Sequence, residues 1–80
     1  MIKVLTVPTR GYGVEKVEIT KLLKKPGDRI GVDEPVYELE TDKATQEVEA
    51  EFEAVLVRWW VAEGDIVSVG DPVADVEVEA

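Results

Sequence analysis

Val48, Phe52, Val55, Leu56 and Trp59 recur at helical spacing through a stretch rich in Ala and Glu, and Gly64 follows where a helix would stop. Taken alone, residues 44 to 63 look helical. The run Tyr37-Glu38-Leu39-Glu40-Thr41 instead alternates apolar and polar side chains with the period of two that a half-buried strand requires. An internal repeat arbitrates between the two patterns. Shifting the chain by 37 residues lays Gly27-Asp28 on Gly64-Asp65, Val32 on Val69, Pro35-Val36 on Pro72-Val73 and Glu40 on Glu77, six identities over fourteen positions. Ile30 and Val67, Glu34 and Asp71, Glu38 and Asp75, and Leu39 and Val76 are conservative matches, while Ile19 to Leu23 falls on Leu56 to Trp60. The first copy contains Pro26 and ends in the alternating run, so the second should be strand as well. Fifteen Val and four Ile, stiff β-branched residues that suit a pleated surface, agree.

Turn residues then divide the strands: Gly11 to Gly13, Pro26-Gly27-Asp28, Gly31 to Pro35, Glu63-Gly64-Asp65 and Gly70-Asp71-Pro72. Short strands at near-regular spacing, in two similar halves, predict an all-β flattened barrel or sandwich of two small antiparallel sheets, about four strands each, related by a pseudo-two-fold axis. Residues 1–80 are expected to form one domain with half repeats of approximately 1–40 and 41–80 and a hairpin turn at 41–44. The expected core is Val4, Val7, Ile19, Leu22, Ile30, Leu39, Val48, Phe52, Val57, Trp59, Val61, Val67, Val73 and Val76. Trp60, next to Trp59 on a strand, should face solvent.

Composition narrows the chemistry. Eighty residues leave little room for an enclosed substrate cavity, so a surface site is expected. The chain has no His, no Cys, no Asn and one Ser, Ser68, which removes a Ser-His-Asp triad, a Cys nucleophile, a thiolate or imidazole zinc site, a disulfide framework and N-glycosylation. Acidic residues from Asp42 to Glu53 lack the spacing of a calcium loop, and Gly11-Tyr12-Gly13 has Lys16 where a dinucleotide fingerprint needs its third Gly. No metal site is expected. No apolar run approaches membrane-spanning length, and residues 1–6 lack a signal peptide's apolar region, so a soluble domain in an intracellular setting is expected. A formal charge of −9 argues against nucleic acid and anionic membrane as partners. That charge is unevenly spread: residues 1–32 carry seven basic and three acidic side chains, and residues 33–80 carry two and fifteen. Lys43 is the only cation between Arg29 and Arg58.

Alternation up to Thr41 and again toward Val48 puts Asp42 and Lys43 at the corner of a tight hairpin. Neither is Gly or Asn, so an ordinary type I turn is expected rather than a mirror-image one. One account of Lys43 is local: it relieves repulsion among Glu40, Asp42, Glu47 and Glu49. Yet Glu40-Thr41-Asp42-Lys43-Ala44, set midway between two Gly-Asp half repeats, with Glu47-Val48 after it and Gly64-Asp65 and Val69-Gly70 in the second half, resembles the lipoyl domain of 2-oxo acid dehydrogenase acyltransferase components. The resemblance covers almost the whole chain and implies a carrier domain that is not itself catalytic. Lys43 would carry lipoic acid through an amide, and Glu40, Thr41, Asp42 and Ala44 would be the neighbours by which modifying and acyl-donating enzymes recognise it. In this family the loop between the first two strands, here roughly Thr9 to Val14, lies near the modified turn, which makes Arg10 and Tyr12 candidates for partner discrimination.

The partners so implied are a thiamin-dependent 2-oxo acid decarboxylase, an acyltransferase catalytic core, dihydrolipoamide dehydrogenase, and a lipoate ligase or lipoyl/octanoyl transferase. The isolated domain would be a monomer, in the cytoplasm of a bacterium or archaeon or in a mitochondrial matrix. The chain departs from the family pattern at four places: Val17 and Ala54 stand where glycines are usual, Glu51 where a Pro is usual, and Leu22 where a Trp is frequent. Val17 and Ala54 occupy equivalent places in the two repeats. A biotinyl carrier shares the architecture, but its Met-Lys-Met motif is absent because Lys43 lies between Asp42 and Ala44. The glycine-cleavage carrier protein fits less well. The remaining alternative is a lipoyl-like module that is never modified and serves only in assembly.

Overall fold

The computed structural model describes residues 1–9 and 13–79. Among them there is no helix; the chain forms β1 (Ile2–Thr6), β2 (Lys16–Leu22), β3 (Arg29–Ile30), β4 (Pro35–Glu40), β5 (Thr45–Glu49), β6 (Ala54–Trp59), β7 (Ile66–Ser68) and β8 (Pro72–Glu77). The stretch with helical spacing is β5, a short connection and β6. The strands make two antiparallel four-stranded sheets, ordered β1-β8-β6-β3 and β5-β4-β2-β7. Replacing each strand by the one four places away in the chain turns one order into the other, which is the expected pseudo-two-fold.

The repeated Gly-Asp pairs interlock the halves. Gly27 N–H donates to Leu56 O at 2.7 Å, and Leu56 N–H donates to Asp28 O at 2.9 Å. The equivalent bonds run from Gly64 N–H to Ile19 O at 2.6 Å and from Ile19 N–H to Asp65 O at 2.8 Å. Each glycine sits at positive φ, 95° and 96°, where a side chain would be strained. Each aspartate accepts a backbone N–H three residues back, from Lys25 and from Ala62, both at 2.9 Å. Each half thus sends a corner across to complete the long central strand of the other.

Matched bulges correct the expected core. In β2 and β6 the pairing skips Thr20 and Val57, equivalent residues, and reverses the inward–outward phase beyond them. Leu56 and Trp59 therefore turn inward while Val57 is 43% exposed, not core. Val4, also expected inside, is 52% exposed: it lies out of phase with the inward Leu5 and Val7, as a period of two dictates. Val7, Ile19, Ile30, Leu39, Val73 and Val76 are buried, with Leu22, Val48, Phe52, Trp59, Val61 and Val67 packed at the margin. The core also holds Val17, Val36, Tyr37, Ala54, Leu56 and Ala74. Pairing skips Val36 in β4 and its counterpart Val73 in β8, and adjacent residues, Val36 with Tyr37 and Val73 with Ala74, are buried together at those places. Tyr37 meets Trp59 edge to face, centroids 6.0 Å apart, and the Trp59 indole N–H donates to Lys24 O at 3.0 Å. Trp60 is 49% exposed, as expected.

Candidate functional site

β4 and β5 are joined by residues 41–44, with Glu40 paired to Thr45 below the turn. Thr41 N–H donates to Ala44 O at 2.9 Å. The Thr41 hydroxyl accepts the N–H groups of Lys43 and Ala44, each at 3.2 Å, and donates to Ala44 O at 3.2 Å. Asp33 is the only non-glycine at positive φ among the described residues, so Asp42 and Lys43 avoid the mirror-image turn. Asp42, Lys43 and Ala44 are exposed and Thr41 is half-buried.

Among the described residues Lys43 makes no ion pair. The cations paired among the described residues are the N-terminal amine with Glu77, Lys24 with Glu34 and Arg58 with Asp75. Glu40, Asp42, Glu47 and Glu49, whose repulsion Lys43 would relieve under the local account, make no ion pair with it. Around the turn the outer face of its sheet is acidic: Glu18 lies directly across from Glu40, and Glu38 from Glu47. The other sheet shows a different outer face, where Ile2 and Val4 are exposed. There Arg58 covers the Trp60 ring at 4.2 Å while both side chains bond Asp75. The indole N–H of Trp60, and next the Arg58 guanidinium, hold the Asp75 carboxyl below the usual carboxylate range. Glu34 is lowered likewise, first by its hydrogen bond from Lys24 and then by the Gly31 N–H.

The sequence motif Glu40 to Ala44 is thus gathered at one end of the second sheet. β2 enters that sheet at Lys16, beyond the Glu18–Glu40 pair, so the described end of the β1–β2 connection lies at the same end as the turn. Arg10 and Tyr12 lie outside the described residues. β5 leads away from the turn to Phe52 and Glu53, which line a groove with Glu77, Val78 and Glu79. There Val78 N–H donates to Met1 O at 2.8 Å, the counterpart of the Thr41–Ala44 bond. The chain ends therefore occupy, at the far end, the place that the lysine turn takes in the other sheet. No group of three His, Cys, Asp or Glu among the described residues could hold a metal, and no helix is long and apolar enough to cross a membrane. The Thr41 hydroxyl's bonds are the feature that residue types alone left unread; a Thr two and three residues before main-chain N–H groups at a corner is the available signal.

Two interlocked half-repeats that hold one unpaired lysine out on a clamped turn define a carrier type of domain. A family model described as "Biotin-requiring enzyme", the biotin–lipoyl model, matches residues 3–76, and the chain belongs to that family as a lipoyl-type domain. It is 40% identical over 76 residues to the dihydrolipoyllysine-residue succinyltransferase component of the 2-oxoglutarate dehydrogenase complex of Bartonella vinsonii subsp. berkhoffii, covering 95% of this chain and 18% of that one. It is 32% identical over 78 residues to the lipoamide acyltransferase component of the branched-chain alpha-keto acid dehydrogenase complex of Bacillus subtilis (strain 168), covering 98% and 18%. The solution structure of the lipoyl domain of the 2-oxoglutarate dehydrogenase complex from Azotobacter vinelandii superposes with a TM-score of 0.77 at 28% identity, covering 96% of this chain and 98% of that one. The chain spans less than a fifth of the length of these two curated relatives.

Proposed function

We propose that this domain carries lipoate as an amide on Lys43 and presents it to the enzymes of a 2-oxo acid dehydrogenase complex, without catalysing a step itself. One observation carries the reading: the Lys43 amine is exposed and free of every nearby carboxylate, at a corner whose backbone is clamped from beneath. An attached group would gain the reach of the lysine stem while its base stays fixed. Amide formation joins the lysine nitrogen to the lipoate carboxyl carbon, the displaced carboxyl oxygen leaving on the phosphate of an ATP-derived adenylate and the amine giving up its extra protons to water. The lysine thereby loses its charge, and the formal balance becomes eight basic against eighteen acidic groups. The dithiolane supplies the redox and acyl-carrying chemistry when attached. The chain's own residues position it: Glu40, Thr41, Asp42 and Ala44 form the surface read with the lysine, and the acidic outer face favours approach by basic partner surfaces.

The partners that follow are the thiamin-dependent decarboxylase that loads the arm, the acyltransferase core that unloads it to coenzyme A, the dihydrolipoamide dehydrogenase that reoxidises it, and the ligase or transferase that attaches it. Arg10 and Tyr12 belong to the same proposal as candidates for discrimination between partner enzymes. Intact mass after incubation with lipoate ligase, ATP and lipoic acid tests the assignment. One lipoyl increment on the wild type and none on Lys43→Arg is the expected result. An increment from biotin ligase with biotin instead would move the chain to the biotinyl carriers, and no increment from either would leave an assembly module.

A further inference from the structure

A two-residue hairpin closes with a pair of main-chain bonds between its flanking residues, and its right-handed strand twist is best matched by central residues at positive φ, usually Asn or Gly. This turn has Asp42 and Lys43 at those places, with neither at positive φ. Only one of the two closing bonds runs main chain to main chain, from Thr41 N–H to Ala44 O. The returning N–H, that of Ala44, goes to the Thr41 hydroxyl, which also takes the N–H of Lys43 and donates to Ala44 O. One donor and two lone pairs are all a hydroxyl has, and all three are used.

Resting on the reading of Lys43 as the attachment residue, we infer that Thr41 is a positioning residue: its hydroxyl replaces the missing turn glycine, fixes the backbone of Lys43, and so presents the amine to the modifying enzyme in a ready-made conformation. The residue acts through the turn and need not touch the enzyme's reacting groups. Without the hydroxyl the Lys43 and Ala44 N–H groups turn to water and the corner samples other shapes. The enzyme then meets the competent shape in a fraction of molecules, which raises KM and leaves kcat in place.

The experiment compares wild type, Thr41→Val, Thr41→Ala and Thr41→Ser as substrates of lipoate ligase with ATP and lipoic acid, with amide hydrogen exchange on each. Thr41→Val and Thr41→Ala should raise KM roughly five- to tenfold, the scale of one lost hydrogen bond, with kcat within about twofold. Thr41→Ser should restore the wild-type KM. Exchange should quicken at Lys43 and Ala44 in the Val and Ala variants and stay unchanged at the hydrogen-bonded Leu39–Gln46 pair, which separates loss of the turn from loss of the hairpin. An unchanged KM in both Val and Ala variants overturns the inference, as does failure of Ser to restore it, while a wild type modified at Lys43 leaves the carrier reading standing. A wild type that takes no lipoyl group overturns both.

Discussion

The two halves of this chain follow one path and differ in a few places. Both have the Gly-Asp corner, the bulge in the long strand, the skipped valine and the buried aliphatic that ends the repeat. They part where the first copy has Tyr37 and the second Ala74, where β1 and β2 are joined by nine residues and β5 and β6 by four, and where residues 41–44 close a turn that the chain ends leave open. The shared features all make bonds or burial between the halves, so they answer to folding. The lysine turn, by contrast, is a local device with no twin, and its one unpaired cation does nothing for the core. Symmetry here separates what builds the domain from what it is built to display.

The largest test of that separation lies at Val17 and Ala54, equivalent positions carrying side chains of different size. Val17 is 2% exposed and pairs with Val67; Ala54 pairs with Ile30 beside an open groove. Val17→Gly should cost about 3 kcal/mol, combining the lost side chain with a flexible strand residue, and Ala54→Gly about 1 kcal/mol. Urea midpoints at constant m-value measure both, and equal losses would mean that the larger side chain at Val17 adds nothing to the core. A smaller effect is expected at the third turn of each copy, where Gly70 at φ 92° corresponds to Asp33 at φ 65°. Asp33→Gly should stabilise by about 0.5 kcal/mol by relieving the left-handed backbone, and Gly70→Asp should destabilise by at least as much. Loss of stability on Asp33→Gly would mean that the carboxylate, not the backbone, matters there.

The smallest effect concerns Lys24 and Glu34, 2.7 Å apart, since the second copy has Val61 and Asp71 in their places. Folding lowers the Glu34 pKa, so its contribution is complete above the unfolded value and disappears as pH falls through the folded one. Glu34→Gln should therefore melt slightly below wild type at neutral pH and match it on the acid side of the carboxylate range. A gap that persisted in acid would assign the loss to the Gly31 turn instead of the ion pair.

The repeat made the fold legible where local periodicity misled: residues 44–63 carry a helical pattern, yet must do what residues 7–26 do. Hidden from the sequence were the bulges. Val57 looks like any strand valine, and only the pairing of β6 with β8 reveals that it is the skipped residue; the adjacent burial of Val36 and Tyr37 follows from the same kind of shift. Val4 differs for a simpler reason: it and Val7 are three residues apart, so a strand cannot bury both, and the sequence does not say which of the two faces inward. At the site, Lys43 stood out because it is alone among carboxylates within a motif. The work of the Thr41 hydroxyl was not legible, because a Thr at a strand end satisfies strand and turn preferences alike until its bonds are seen.

Met1 and Val78 exchange main-chain bonds across the gap between the ends. In topological terms the eight strands trace a ring whose opening lies at the point diametrically related to the lysine. A short peptide joining the ends would restore the ring, and a new cut in residues 50–53 would yield a circular permutant with every strand pairing intact. Where the strand path is opened is then independent of how the sheets are woven, so long as the lysine corner stays whole.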